Sequence, residues 1–100
     1  MAKMTIALQD GFRNDSVIIT VNDKEVYRKS GVSTNLAISL AESVETTVSG
    51  NDVRLEVEVP SRNTKTTTTL HASESPYVSI SLKDSGKPEI IPSKEAFRYF

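Results

Sequence analysis

The sequence predicts an all-β protein: a two-layer antiparallel β-sandwich of about eight short strands, immunoglobulin-like or jelly-roll in architecture. Three observations predict it. Residues 53–59, Val-Arg-Leu-Glu-Val-Glu-Val, alternate apolar and charged without a fault. A strand sends successive side chains to opposite faces, so Val53, Leu55, Val57 and Val59 make a dry row over a wet row of Arg54, Glu56 and Glu58. One such strand cannot bury its row alone, and roughly eight or nine comparable segments recur at spacings of about ten residues with turn formers between them. Val, Ile and Thr are abundant, whereas Ala, Leu, Glu and Lys gather into no helical stripe.

The elements follow in order. Residues 5–9 alternate weakly with Ile6 and Leu8 on one face and read as a first strand. Residues 10–15 break the pattern, Gly11 supplying positive φ and Asn14 and Asp15 local side-chain bonds. Residues 16–21 share Val17, Ile19 and Val21 on one face with Ile18 opposite, as a central strand would. Asn22-Asp23-Lys24 then turns into residues 25–28, the clearest hairpin in the chain, because Asn and Asp tolerate the left-handed conformations of a short turn. Residues 29–34 read as a second loop. Leu36, Ile38 and Leu40 alternate with small residues, as do Val44, Thr46 and Val48 with polar ones, which predicts two strands joined by a corner at Ala41, Glu42 and Ser43. At helical spacing Leu36, Leu40 and Val44 also share a face, but Ser and Thr at nearly every other position oppose a helix.

Residues 49–52 form a turn into the organising strand, which Pro60 ends by removing a ladder donor. Arg62 and Asn63 lie in the next loop. Residues 64–71, Thr-Lys-Thr-Thr-Thr-Thr-Leu-His, combine high β-propensity with hardly any hydrophobic face, which suits a sheet edge. Residues 72–76 turn the chain, Val78, Ile80 and Leu82 point inward from a strand over 77–82, and a polar turn leads into a short strand at 89–91. The expected core is Ile6, Leu8, Val17, Ile19, Leu36, Ile38, Leu40, Leu55, Val57, Val78, Ile80 and Leu82.

One hundred residues make one sandwich domain, 1–100, whose last stretch, 93–100, is an aromatic tail; a two-layer core fits this length and a deep enclosed cavity does not. With 12 Lys and Arg against 13 Asp and Glu, the basic excess that drives phosphate-backbone binding is missing, so nucleic acid is not an expected partner. The absence of cysteine removes disulfides, thiolate zinc sites and redox centres. The N-terminal residues reach polar Gln9 and Asp10 before an apolar leader can form, and no run approaches the ~18 apolar residues of a membrane span. A cytoplasmic protein without membrane association is expected.

No nucleophile elbow, cofactor motif or metal-ligand spacing is present, so no cofactor is expected and the chain reads as a non-catalytic protein-interaction or binding module. His71, the sole histidine, would serve a small hydrolase only if a serine and an acid met it through long-range contacts. Glu56 and Glu58 sit where the wet face of a half-buried strand requires polar groups. If alternate loops fall at one end, Asp10, Asn14 and Asp15 would meet Asn51, Asp52 and Glu74 and offer oxygens to calcium, the basis of an alternative reading as a calcium-assisted carbohydrate-binding module. Phe97, Tyr99 and Phe100, half of the six aromatics, crowd the C-terminus as candidate anchors for another protein or a second copy, and the threonine-rich edge could pair with another strand. The stretch 8–12 (Leu-Gln-Asp-Gly-Phe), the hairpin over 17–28 with Val-Asn-Asp-Lys-Glu-Val-Tyr, and the ending Glu-Ala-Phe-Arg-Tyr-Phe over 95–100 together resemble small bacterial β-sandwich proteins of immunoglobulin-like type. The hairpin is also similar to those of many carbohydrate-binding modules, although this chain has no tryptophan for a sugar platform. The resemblance implies a fold and no activity.

Overall fold

The structure, a computed structural model, describes residues 2–37, 40–83 and 86–94. Along these run β1 Ala2–Leu8, β2 Asp15–Val21, β3 Lys24–Val32, β4 Glu42–Val48, β5 Asp52–Val59, β6 Thr64–His71, β7 Tyr77–Leu82 and β8 Pro88–Ser93, with a short 3-10 helix, Pro60–Arg62, before β6. They form two four-stranded sheets in the orders β4-β1-β7-β8 and β3-β2-β5-β6. The protein is a two-layer β-sandwich. Every pairing is antiparallel except β1 with β7, which is parallel. Each connection reverses the chain, and the even number of reversals between these two strands leaves them running the same way.

The alternating rows do what their spacing demands. Val53, Leu55, Val57 and Val59 of β5 and Val17, Ile19 and Val21 of β2 face Met4, Ile6 and Leu8 of β1 and Val78, Ile80 and Leu82 of β7 across the core. The β2–β3 hairpin closes through Asn22 and Asp23, both left-handed at φ 50° and 67°, the geometry of a two-residue turn whose twist matches its strands. The Asn22 side chain adds to it, its Oδ1 accepting the Arg54 N–H at 2.8 Å.

Three expectations are corrected. Residues 29–32 belong to β3 rather than to a loop; register shifts opposite β2 mark bulges that let a polar, irregular segment stay paired. No strand forms over 36–40 among the described residues. Asn35 makes an isolated bridge to Leu40 and its Oδ1 accepts the Ala37 N–H, an Asx turn, and Leu36 stands 89% exposed. Leu40 is only half-buried, and Ile38 lies outside the described residues. In their place the core takes Phe12, 2% exposed and the bulkiest of the fully buried side chains. It is pinned by its own backbone, whose N–H donates to Thr34 Oγ1 at 3.1 Å and whose carbonyl accepts the Thr34 N–H at 2.9 Å.

Losing that strand changes which loops share an end. The β1–β2 loop, the β3–β4 connection, the 3-10 helix and Gly86 before β8 meet at one end, tied by Thr34 to Phe12, by the Leu82 N–H to the Asp10 carbonyl at 2.8 Å and by Arg62 to Gly11. The β2–β3, β4–β5 and β6–β7 turns meet at the other, where the Ala72 N–H donates to the Asn51 carbonyl at 2.8 Å. Among the described residues, no helix is long and apolar enough to cross a membrane.

Candidate functional site

The feature that the fold leaves open for recognition is one side of β6. Successive residues of a strand turn their N–H and C=O to opposite sides within the sheet. Arg54 of β5 faces β2, since its carbonyl accepts the Asn22 N–H at 2.9 Å, so Val53, Leu55, Val57 and Val59 face β6. Their register partners Leu70, Thr68, Thr66 and Thr64 turn back toward them, and the bond from Ala72 to Asn51 fixes the same phase at the end of the ladder. Lys65, Thr67 and Thr69 therefore present their peptide groups away from β5, at the outer edge of the sheet order.

The side chains of β6 divide the other way. Thr64, Thr66 and Thr68 are half-buried and Leu70 is buried on the core side. The Thr64 hydroxyl donates to the Gly86 carbonyl at 2.7 Å and the Thr66 hydroxyl to the Pro88 carbonyl at 2.8 Å. This threonine row stitches the two sheets together. Lys65, Thr67, Thr69 and His71 are exposed on the outer face. Beside the edge, between β6 and β8, runs an open groove of about 400 Å³ lined by Thr66, Thr68, Lys83, Pro88 and Ile90, with Lys83 held to Glu89 at 3.1 Å on its rim.

The other sheet edges are guarded in ways that discourage strand pairing. β8 carries Pro88 and Pro92, β3 is interrupted by register shifts, and β4 carries Glu42 and Glu45, ion-paired to Lys29 and Lys3. β6 pairs with β5 over eight consecutive residues with no shift. It contains no proline, and Lys65 is its one ammonium or carboxylate.

The remaining sequence-level candidates fall elsewhere. His71 Nδ1 lies 3.0 Å from Asp52 Oδ1, with side chains 53% and 82% exposed, a solvated cross-strand pair beside the β6 edge. Glu56 and Glu58 occupy the outer face of β5 as its wet row, Glu56 lying 3.8 Å from Lys65. The six oxygen donors proposed for calcium divide between the two ends: Asp10, Asn14 and Asp15 belong to the Arg62 end, and Asn51, Asp52 and Glu74 to the other. Asp15 is moreover engaged already. Its carboxylate accepts from Arg62 Nε and Nη2, from Ser61 Oγ and from the Arg13 N–H. Burial works to raise its pKa, but the bonds from Arg62, Arg13 and Ser61 outweigh burial and hold it below the ordinary value. Phe97, Tyr99 and Phe100 lie outside the described residues; the chain reaches them from Lys94, at the end of the sandwich away from Arg62.

The threonine-rich segment was legible as an edge strand, but which of its peptide groups are free was not, because that phase is set by the β2–β5 register. The Arg62–Asp15 bond joins residues 47 apart in sequence, and no local pattern marks it. Comparison with known proteins finds no matching family model, no matching curated protein and no matching solved structure, and the resemblance drawn from residues 8–12, the hairpin over 17–28 and the C-terminal stretch 95–100 rests on those residues alone.

Proposed function

We propose that this protein is a non-catalytic interaction module that binds an extended strand along the free edge of β6. The observation that carries this reading is the uninterrupted, proline-free ladder of β6, whose Lys65, Thr67 and Thr69 peptide groups face away from their own sheet. In strand addition, main-chain bonds supply affinity and alternate side chains supply selectivity. The adjoining groove, where Pro88 and Ile90 stand among threonines and the charged Lys83, Lys87 and Glu89, gives the side chains of a guest strand a mixed polar and apolar surface to lie against. Phe97, Tyr99 and Phe100 remain candidate anchors for the same partner on the strength of the sequence.

The test is a peptide array of eight-residue strands with alternating β-branched and polar residues, each with a twin N-methylated on its bonding side. Binding should vanish for the N-methylated twins and in Thr67→Pro, which removes an outward N–H and no bond to β5. Binding that survives both changes would exclude the edge as the binding element.

A further inference from the structure

We infer that the strand taken up by the β6 edge is β6 of a second copy, in one defined register with the two-fold axis at Thr67. The inference rests on the strand-addition reading and adds the partner. Two β6 strands meeting edge to edge about a two-fold run antiparallel, and opposite residues must share a face, so paired residue numbers sum to an even value. Pairing Thr67 with Thr67 and Lys65 with Thr69 uses the three residues with outward peptide groups on each copy. Three residue pairs exchanging two bonds each form about six hydrogen bonds. The ladder then stops on both sides for reasons already built into the fold. The Asn63 N–H is spent on the Pro60 carbonyl, and the residue is left-handed at φ 54°. The His71 carbonyl is spent on the N–H groups of Glu74 and Ser75.

The neighbouring registers are poorer. A shift toward the C-terminus sets Lys65 against His71 and asks the occupied His71 carbonyl to accept again. A shift the other way asks the left-handed Asn63 to extend the strand. In the Thr67 register, Thr66 lies opposite Thr68 of the second copy and Thr64 opposite its Leu70, threonine-rich pairs of a kind that stabilise sheets, and each Lys65 lies opposite a neutral Thr69. The product is a continuous eight-stranded sheet with β3 at both outer edges, in a dimer that the two-fold axis closes, with the unguarded β6 edge covered.

Sedimentation and light scattering over a concentration series test the association, and single cysteines test the register in a chain that has none of its own. The expected mass is about twice the 11.0 kDa of the chain. Thr67→Lys, which sets two ammonium groups against each other at the axis and touches no bond to β5, should weaken association at least tenfold with an unchanged circular dichroism spectrum. Under mild oxidation Thr67→Cys should form a disulfide-linked dimer, because residues in a hydrogen-bonded pair lie about 5.5 Å apart. Thr69→Cys alone should not, but should cross-link to Lys65→Cys. A chain that is monomeric throughout the series, a dimer indifferent to Thr67→Lys, or cross-linking through Thr69→Cys alone would each overturn the inference. A monomer that still binds array peptides in a Thr67-dependent way refutes the second copy and leaves strand addition standing; a monomer that binds none refutes both.

Discussion

Arg62 grips the Asp15 carboxylate with two parallel hydrogen bonds, Nε to Oδ1 and Nη2 to Oδ2, each 3.0 Å long, and with Nη2 also reaches the Gly11 carbonyl at 3.1 Å. The contact ties the 3-10 helix to the start of β2 and to the β1–β2 loop. That loop runs so close to β7 that a Cβ on Gly11, at φ +90°, would collide with the Leu82 carbonyl. The partners are unequally buried, the Asp15 side chain 4% exposed and that of Arg62 29%. Removing one partner of a buried pair strands the other, and the cost follows the burial of the group left behind.

Arg62→Met should therefore cost more than Asp15→Ala: about 3–5 kcal/mol against roughly half of that, measured by urea unfolding at neutral pH. The pH dependence has a defined sign. A carboxyl whose folded pKa lies below its unfolded value contributes stability that is complete above the ordinary value, here 3.8, and is lost as pH falls through the folded one. In Arg62→Met the largest bonds that lower the Asp15 pKa are gone and burial pushes it upward, so the deficit against wild type should begin to shrink as pH falls toward the ordinary value of 3.8 and go on shrinking below it, where the wild-type contact is lost. A deficit that stays constant into acid would mean that Asp15 does not titrate through this contact.

Phe12 and Leu36 exchange the roles their neighbours suggest. Phe12→Ala should cost about 3–5 kcal/mol, because the ring is sealed in the core and the loop around it is pinned, whereas Leu36→Ser should fall within about 0.5 kcal/mol of wild type. Thermal melts of the two variants side by side check the claim, and equal melting temperatures would refute it.

The same two residues show how far the sequence could be read. β5, β2 and β7 were legible because a strict period of two leaves one arrangement that buries the apolar row. Residues 36–40 carry that period as well, but the Asx turn at Asn35 answers the local hydrogen-bonding demand more cheaply than a strand would, and periodicity alone does not register the competition. Phe12 sits among turn formers, so nothing local marks it as a core residue; the Thr34 bonds that draw it inward come from the β3–β4 connection. A strand over 36–40 would reverse the parity of every later loop, which is why periodicity alone brings the acidic loops together and the eight-stranded fold separates them. The β6 edge was readable as an edge from its composition, but not the direction of its free peptide groups.

Calcium should leave the protein unchanged. With Asp10, Asn14 and Asp15 at one end, and Asn51, Asp52 and Glu74 at the other, neither group approaches the six to eight oxygens calcium takes, and Arg62 already neutralises Asp15. Melting temperatures with and without millimolar calcium should agree within a degree or so; a rise of several degrees that is lost in Asp52→Ala would show a site these loops do not reveal.

Tyr27 offers a gain of stability. Among the described residues its hydroxyl is buried without a hydrogen-bond partner, and burial, followed by the nearby Glu42 carboxylate, pushes its pKa up. A buried hydroxyl with no partner carries its desolvation cost uncompensated. Tyr27→Phe keeps the ring against the core and removes that cost, so the midpoint of urea unfolding should rise by the equivalent of about 1 kcal/mol. A fall would reveal a partner for the hydroxyl.

Amide hydrogen exchange along β6 provides the most direct reading of its backbone phase. At concentrations where the chain is monomeric, the amides of Thr66, Thr68 and Leu70 donate to β5 and exchange only when that ladder opens, whereas those of Lys65, Thr67 and Thr69 face water and exchange at rates set by solvent access. Protection should therefore alternate residue by residue over the strand, with the slow set even-numbered. Uniform protection would mean that another strand covers the edge, and an odd-numbered slow set would mean that the β5–β6 register is displaced by one residue, which would also turn the threonine row that stitches the sheets out into solvent.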